Sequence, residues 1–78
     1  MINDDPQEIC RNIAHNLVTL RKRYGLSRCA MAKLLGISVY SLRVLEQGER
    51  LPNVGIEFLF RLAGHFRIRV ADFMSARL

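Results

Sequence analysis

Leu26-Ser27-Arg28-Cys29-Ala30-Met31-Ala32-Lys33-Leu34-Leu35-Gly36-Ile37-Ser38-Val39-Tyr40-Ser41-Leu42-Arg43-Val44-Leu45-Glu46-Gln47-Gly48 reads as two short helices with a minimal turn between them. Ser27 is a good N-cap, because its hydroxyl can accept from a backbone N–H that the first helical turn leaves without a partner. Gly36 ends that helix by reversing the chain at positive φ, where any other residue meets a steric penalty. Ser38 caps the second helix. Ile37 before the cap and Leu42 in the second turn are placed as a hydrophobic staple. Gly48 then stops the chain again. Met31, Ala32 and Leu35 face inward from the first helix, and Leu42 and Leu45 from the second. Ala32 is small where the two helices approach. Two short helices joined this tightly form a helix-turn-helix, at about residues 27–47.

The flanking sequence also reads as helix. Asp5-Pro6-Gln7-Glu8 opens a first helix, with Asp5 as cap, Pro6 at the first helical position and Glu8 completing a capping box. Ile9, Ile13, Leu17, Leu20 and Tyr24 follow at helical spacing and define one face. Arg21, Lys22 and Arg23 complement the negative end of the helix dipole, and Gly25 ends the helix. Pro52, Asn53, Val54 and Gly55 make a connector. A fourth helix is predicted from about Ile56 to Phe66, with Ile56, Leu59, Ala63 and Phe66 on one face and Phe58 and Leu62 beside it. A short last helix carries Val70, Phe73 and Met74, and Arg69 is a poor cap for its start. The expected architecture is all-α: one compact five-helix domain over residues 1–78, with a dimerisation region at about 66–78.

Composition narrows the function. Half of the 78 residues are hydrophobic, which supports a folded core, but the apolar runs are too short to span a membrane. The acidic N-terminus, Met1-Ile2-Asn3-Asp4-Asp5, lacks the regions of a signal peptide, so a cytoplasmic location is expected. Cys10 and Cys29 make no disulfide framework and share no metal-ligand spacing with His15 or His65; both read as packed thiols. No carboxylate pair, nucleophile–base set or phosphate-cradling glycine loop accompanies the histidines, so no enzyme, cofactor or metal is expected. The formal charge is +5. All of that excess lies in residues 21–50, where seven basic residues (Arg21, Lys22, Arg23, Arg28, Lys33, Arg43 and Arg50) face two acidic ones, Glu46 and Glu49. A localised basic surface attracts phosphate through counterion release, although it also serves simply to keep a small protein soluble.

The stretch Leu26 to Ser38 resembles the "G-L-S-Q-x-x-L-A-x-x-L-G-[IV]-S" core of the phage-repressor and Cro-like (Xre-type) helix-turn-helix family. Leu42, Leu45-Glu46-Gln47-Gly48-Glu49-Arg50 and Pro52 continue the match to "I-x-x-[IL]-E-x-G-x-R-x-P". Ile56 to Ala63, with Phe66, Ile68 and Val70, is similar to the family's fourth and fifth helices. The resemblance covers about residues 9–75 and implies a lambda-repressor-like domain that binds double-stranded DNA. It further implies an ion pair between Arg21 and Glu46, tying helix 1 to the recognition helix.

Carried over by position, the resemblance places Val39, Tyr40, Arg43 and Val44 against base edges in the major groove. It places Ser27, Arg28, Ser38, Ser41, Gln47 and Arg50 against phosphates, those at helix N-termini helped by free N–H groups. Phe66, Phe73, Met74 and Leu78 are its candidates for a homodimer contact on a near-palindromic operator. The chain departs from the pattern at the reading face. Valine has no donor or acceptor and can read only thymine methyl groups or shape. Arg43 is the single candidate for a bidentate contact to guanine. Arg28 replaces the usual glutamine, exchanging an amide for a charge. Cys29, Ala30 and Leu34 stand where the family carries polar residues, and an outward Leu34 would mark a protein partner. A DNA-binding transcriptional regulator is therefore expected, with a protein-interaction module, such as an antitoxin or a partner of another regulator, as the alternative.

Overall fold

A computed structural model describes residues 5–49, 55–75 and 77–78. The order is α1 (Pro6–Arg23), α2 (Arg28–Leu35), α3 (Val39–Glu46), α4 (Glu57–Phe66) and α5 (Val70–Ser75), with no strand among the described residues. The connector at 50–54, including Arg50 and Pro52, lies outside the described residues.

Local chemistry explains where the helices begin and end. Asp5, Ser27 and Ser38 each have extended backbone and accept a backbone N–H, from Gln7, Ala30 and Ser41 respectively. Glu8 pairs with Arg11 at 3.4 Å and with Arg77 at 3.6 Å. Gly36 closes α2 at φ 73°, and the N–H of Ile37 reaches back to the Ala32 carbonyl at 3.0 Å. The end of α4 is less orthodox. Arg67 takes φ 55°, the left-handed conformation that glycine usually supplies there.

α1 packs on α3 and α5, α2 packs on α3 and α4, and α4 touches α5. Between them lies one core: Leu17, Leu20, Met31, Ala32, Leu35, Leu42, Leu45, Phe58, Leu59, Leu62 and Phe73. Burial of that apolar area is the main favourable term in holding so small a domain together.

Several sequence expectations fail on burial. Cys29, expected as a packed thiol, is exposed, because it sits in the first turn of α2 away from Met31, Ala32 and Leu35, while Cys10 is half-buried. Tyr24 stands at 57% exposure, because by the end of α1 the apolar stripe has rotated off the core; its ring instead meets Phe66 at 5.0 Å. Ile56 is 66% exposed, because α4 starts one residue later and turns Phe58, Leu59 and Leu62 inward. Leu34 is half-buried and packs against the core rather than facing outward. Phe73 is 1% exposed and belongs to the core, so it offers nothing to a second subunit.

Two asparagines on α1 organise the C-terminal end of the domain. Asn12 and Asn16 are spaced one helical turn apart and both are buried. Asn16 Nδ2 donates to the Phe73 carbonyl at 2.6 Å and Asn12 Nδ2 to the Met74 carbonyl at 3.0 Å. The N–H of Leu78 donates to Asn16 Oδ1 at 2.9 Å, and Arg77 Nε donates to Asn12 Oδ1 at 3.1 Å. The last carbonyls of α5 thus find side-chain donors in place of a helical partner. A six-residue helix has little stability of its own, and this clasp joins Phe73 in fixing it to α1.

Candidate functional site

The surface that combines open helix ends with positive charge is formed by α2, the turn at Gly36-Ile37-Ser38, and α3. At the start of α3, Val39 is 40% and Tyr40 70% exposed, and Arg43 is exposed one turn on. These three share one side of the helix, while Leu42 and Leu45 enter the core from the other. Val44 does not belong to the exposed set. It is 8% exposed, because its position on the helix turns it toward the packed side. The reading surface therefore loses one of its two valines, and Tyr40 and Arg43 supply its polar groups.

The residues expected at phosphates divide into three groups. Arg28 and Gln47 are exposed, at the start of α2 and just past the end of α3. Ser27 and Ser38 are also exposed, but each hydroxyl already accepts a backbone N–H, at 3.1 and 3.0 Å. Ser38 additionally donates its hydroxyl to that of Ser41 at 2.9 Å, and Ser41 is half-buried. Arg50 lies outside the described residues.

Arg21 and Glu46 join α1 to the end of α3 by a two-pronged contact. Arg21 Nε donates to Glu46 Oε2 at 2.8 Å and Nη2 to Oε1 at 3.2 Å. The side chains are 13% and 4% exposed. Fork-to-carboxylate geometry fixes orientation as well as distance, so this pair ties the end of α3 to α1 in one orientation. Arg28 joins the same carboxylate, its Nε donating to Oε1 at 3.0 Å, although its side chain is half exposed. Glu46 thus serves two arginines, and the cluster keeps one net positive charge at the start of α2.

A groove of about 480 Å³ opens beside this cluster. Arg21, Lys22, Arg28 and Arg43 line it together with Glu46, Gln47, Val18 and Val39. The sequence did not show this groove, since it depends on α1 ending against α3, and Lys22 stood there as a charge at a helix terminus and as one of the basic residues of 21–50.

The remaining dimer candidates are partly covered. Phe66 is half-buried between Tyr24 and the edge of His65, whose ring centroid lies 4.9 Å away. Met74 is half-buried against the core, and Leu78 is 38% exposed. The largest exposed apolar side chains outside α3 are instead Tyr24, Ile56 and Phe60, the last at 59%. Among the described residues no group of acidic, cysteine or histidine side chains is arranged to hold a metal ion. No helix of the described residues is long and apolar enough to cross a membrane.

The architecture is that of a helix-turn-helix domain. No family model and no curated protein sequence matches the chain. Among solved structures it is similar to a transcriptional regulator of the HTH_3 family from Vibrio cholerae, at 34% identity and a TM-score of 0.70. The likeness covers 87% of this chain and 37% of that regulator, so the chain spans little more than a third of its length. Two features of the all-α, five-helix expectation are thereby shown, the element order and the helix-turn-helix fold.

Proposed function

We propose that this protein is a DNA-binding transcriptional regulator that lays α3 in the major groove. The observation that carries the reading is the exposed start of α3, where Val39, Tyr40 and Arg43 project beside the basic start of α2. The structural likeness to a transcriptional regulator supports it. Tyr40 and Val39 would make apolar contact with sugars and thymine methyl groups, and Arg43 would donate to guanine. Arg28, Gln47 and the N-terminal N–H groups of α2 would hold the backbone on either side. A site this small gains useful affinity and specificity by pairing on a two-fold operator, so a homodimer is part of the proposal, with Phe66, Met74 and Leu78 as its remaining contact residues. A cytoplasmic site of action, and membership of the Cro-like or Xre-type regulators, follow from the same reading.

Selection from random duplex DNA at two salt concentrations tests it. Enrichment of a near-palindromic sequence and a steep loss of affinity with salt are expected. Arg43→Ala should relax preference at one base position of each half-site, whereas Arg28→Ala should weaken all sequences alike. Absence of enrichment over random DNA would refute sequence-specific regulation.

A second reading, a protein-interaction module, loses the support expected from an outward Leu34, which packs against the core. Its support is now the exposed pair Ile56, the residue before α4, and Phe60, in its first turns. A single stoichiometric protein partner lost on Phe60→Asp, with the fold intact by circular dichroism, would favour it over DNA binding.

A further inference from the structure

We propose that Arg61, on α4, is a positioning residue for α3: its guanidinium lies flat on Gly36 and braces the turn that sets where the reading face stands. This role rests on the proposed function and deepens it. Gly25, Gly36 and Gly48 all take positive φ, at 64°, 73° and 81°. At Gly25 and Gly48 the space that a Cβ would occupy is open. At Gly36 it is covered, and the three nearest atoms are Cζ, Nη1 and Nε of Arg61, at 3.1, 3.2 and 3.3 Å. The carbon is the nearest of them. Within the plane of a guanidinium the carbon is ringed by its nitrogens, so a point closest to the carbon stands over the flat face. Arg61 follows Glu57 by four residues on α4, the spacing at which helical ion pairs form, yet the two are not paired. Among the described residues Arg61 has no acidic partner, and it is exposed, so its charge keeps water while one face covers the glycine.

Glycine is the residue with the most freedom to turn, and Gly36 stands just before α3, with Ile37 and the Ser38 cap between them. Rocking at Gly36 is therefore carried into Val39 and Tyr40. Recognition groups work only when their support holds them within roughly 0.5 Å of the productive position. A flat side chain laid on the glycine limits that rocking, and it comes from α4, outside the helix-turn-helix itself. Arg61 also places a cation at the C-terminal end of α2, where the last carbonyls carry partial negative charge. Arginine suits both tasks, whereas lysine brings the charge without the flat face.

The test takes the full chain with Arg61→Ala and Arg61→Lys. The first readout is amide hydrogen exchange without DNA. The N–H of Ile37 donates to the Ala32 carbonyl and that of Leu42 to the Ser38 carbonyl, both at 3.0 Å, so these amides report on the turn and the start of α3. Both variants should speed their exchange about tenfold and leave the amides of Leu17 and Leu20 on α1 unchanged. The second readout is fluorescence anisotropy at about 50 and 200 mM salt, with a duplex selected by the unmodified chain and with a random duplex. In both variants the ratio of the two affinities should fall about tenfold, the worth of one base contact. The salt slope should stay within about 0.3 of the unmodified value, because no phosphate contact is lost.

Faster local exchange, a lower affinity ratio and an unchanged slope together support the brace. A slope flattened by about 0.9 would make Arg61 a phosphate contact and overturn it. Unchanged exchange at Ile37 and Leu42, or exchange that rises equally at Leu17 and Leu20, overturns it too, as does an unchanged affinity ratio. Recovery of both readouts in Arg61→Lys would mean that charge acts and the flat face does not, which also refutes the brace. If the unmodified chain enriches no duplex, the DNA reading fails by itself and exchange alone decides whether Arg61 braces the turn. Circular dichroism checks the fold of each variant, and Arg61→Lys carries the test should Arg61→Ala not fold.

Discussion

Glu46→Ala should be among the most damaging single substitutions in this domain. Its carboxylate is 4% exposed and accepts from three guanidinium N–H groups of two arginines. The arginines respond differently to its loss. Arg28 is half exposed and can turn its charge to water. Arg21 is 13% exposed, with one further acceptor, the Leu26 carbonyl at 3.5 Å, so its charge would be left in place without a counterion. Removing one partner of a buried pair costs about 3–5 kcal/mol. A domain of this length has about 4–12 kcal/mol in total. At about 4–8 °C per kcal/mol, the melting temperature should fall by roughly 12–40 °C. Urea unfolding followed by far-ultraviolet circular dichroism measures the change directly. Arg28→Ala, which removes only the exposed partner, should cost about 0–1 kcal/mol. The double substitution Arg21→Met with Glu46→Leu should recover much of the loss, since a well-packed apolar pair carries no desolvation penalty. A Glu46→Ala protein within about 1 kcal/mol of the unmodified one would refute the reasoning, because it would mean that water already screens the pair.

Asn16→Ala should destabilise by about 2–4 kcal/mol, because it orphans the Phe73 carbonyl and the Leu78 N–H; loss of hydrogen-exchange protection confined to α5 at first would distinguish it from a general core defect. Gly36→Ala should cost about 1–2 kcal/mol in a urea titration, since φ is 73° and the new Cβ would stand 3.1 Å from the Arg61 guanidinium. Ser38→Ala should lower stability by about 0.5–2 kcal/mol through loss of the α3 cap, with a lower urea midpoint at unchanged slope. Tyr40→Ala should leave the melting temperature within about 2–4 °C, as the side chain is 70% exposed, yet weaken binding to a selected duplex in anisotropy titrations.

Exposure and burial at the reading face show how the sequence could mislead. Val39 and Val44 look equivalent in a linear motif, and both were expected to face bases. They differ by five positions, which turns them to different sides of a helix, and only the placement of α3 against the body of the domain decides which side is covered. Leu34 shows the reverse error. Its position on α2 looked outward, yet in the folded domain it packs against the core. The asparagines at 12 and 16 entered no reading of the sequence, because nothing local says what they bond. Their partners lie 57 to 65 positions away.

The sequence by itself determined the elements and their ends. Ser27 and Ser38 cap, Gly36 reverses the chain, and the leucines of the helix-turn-helix point inward, because each of these depends on hydrogen bonds and φ values within one or two turns. The Arg21–Glu46 contact came from the resemblance, since a pairing across 25 positions is not a local property. Tertiary structure alone decided that Arg28 shares that carboxylate, that Phe73 and Val44 are buried, that Ile56 and Phe60 are exposed, and that Lys22 meets Arg28 across a groove. The physical reason is common to all of them. Burial and charge pairing are set by the angles at which helices cross, and those angles emerge from the packing of the whole core.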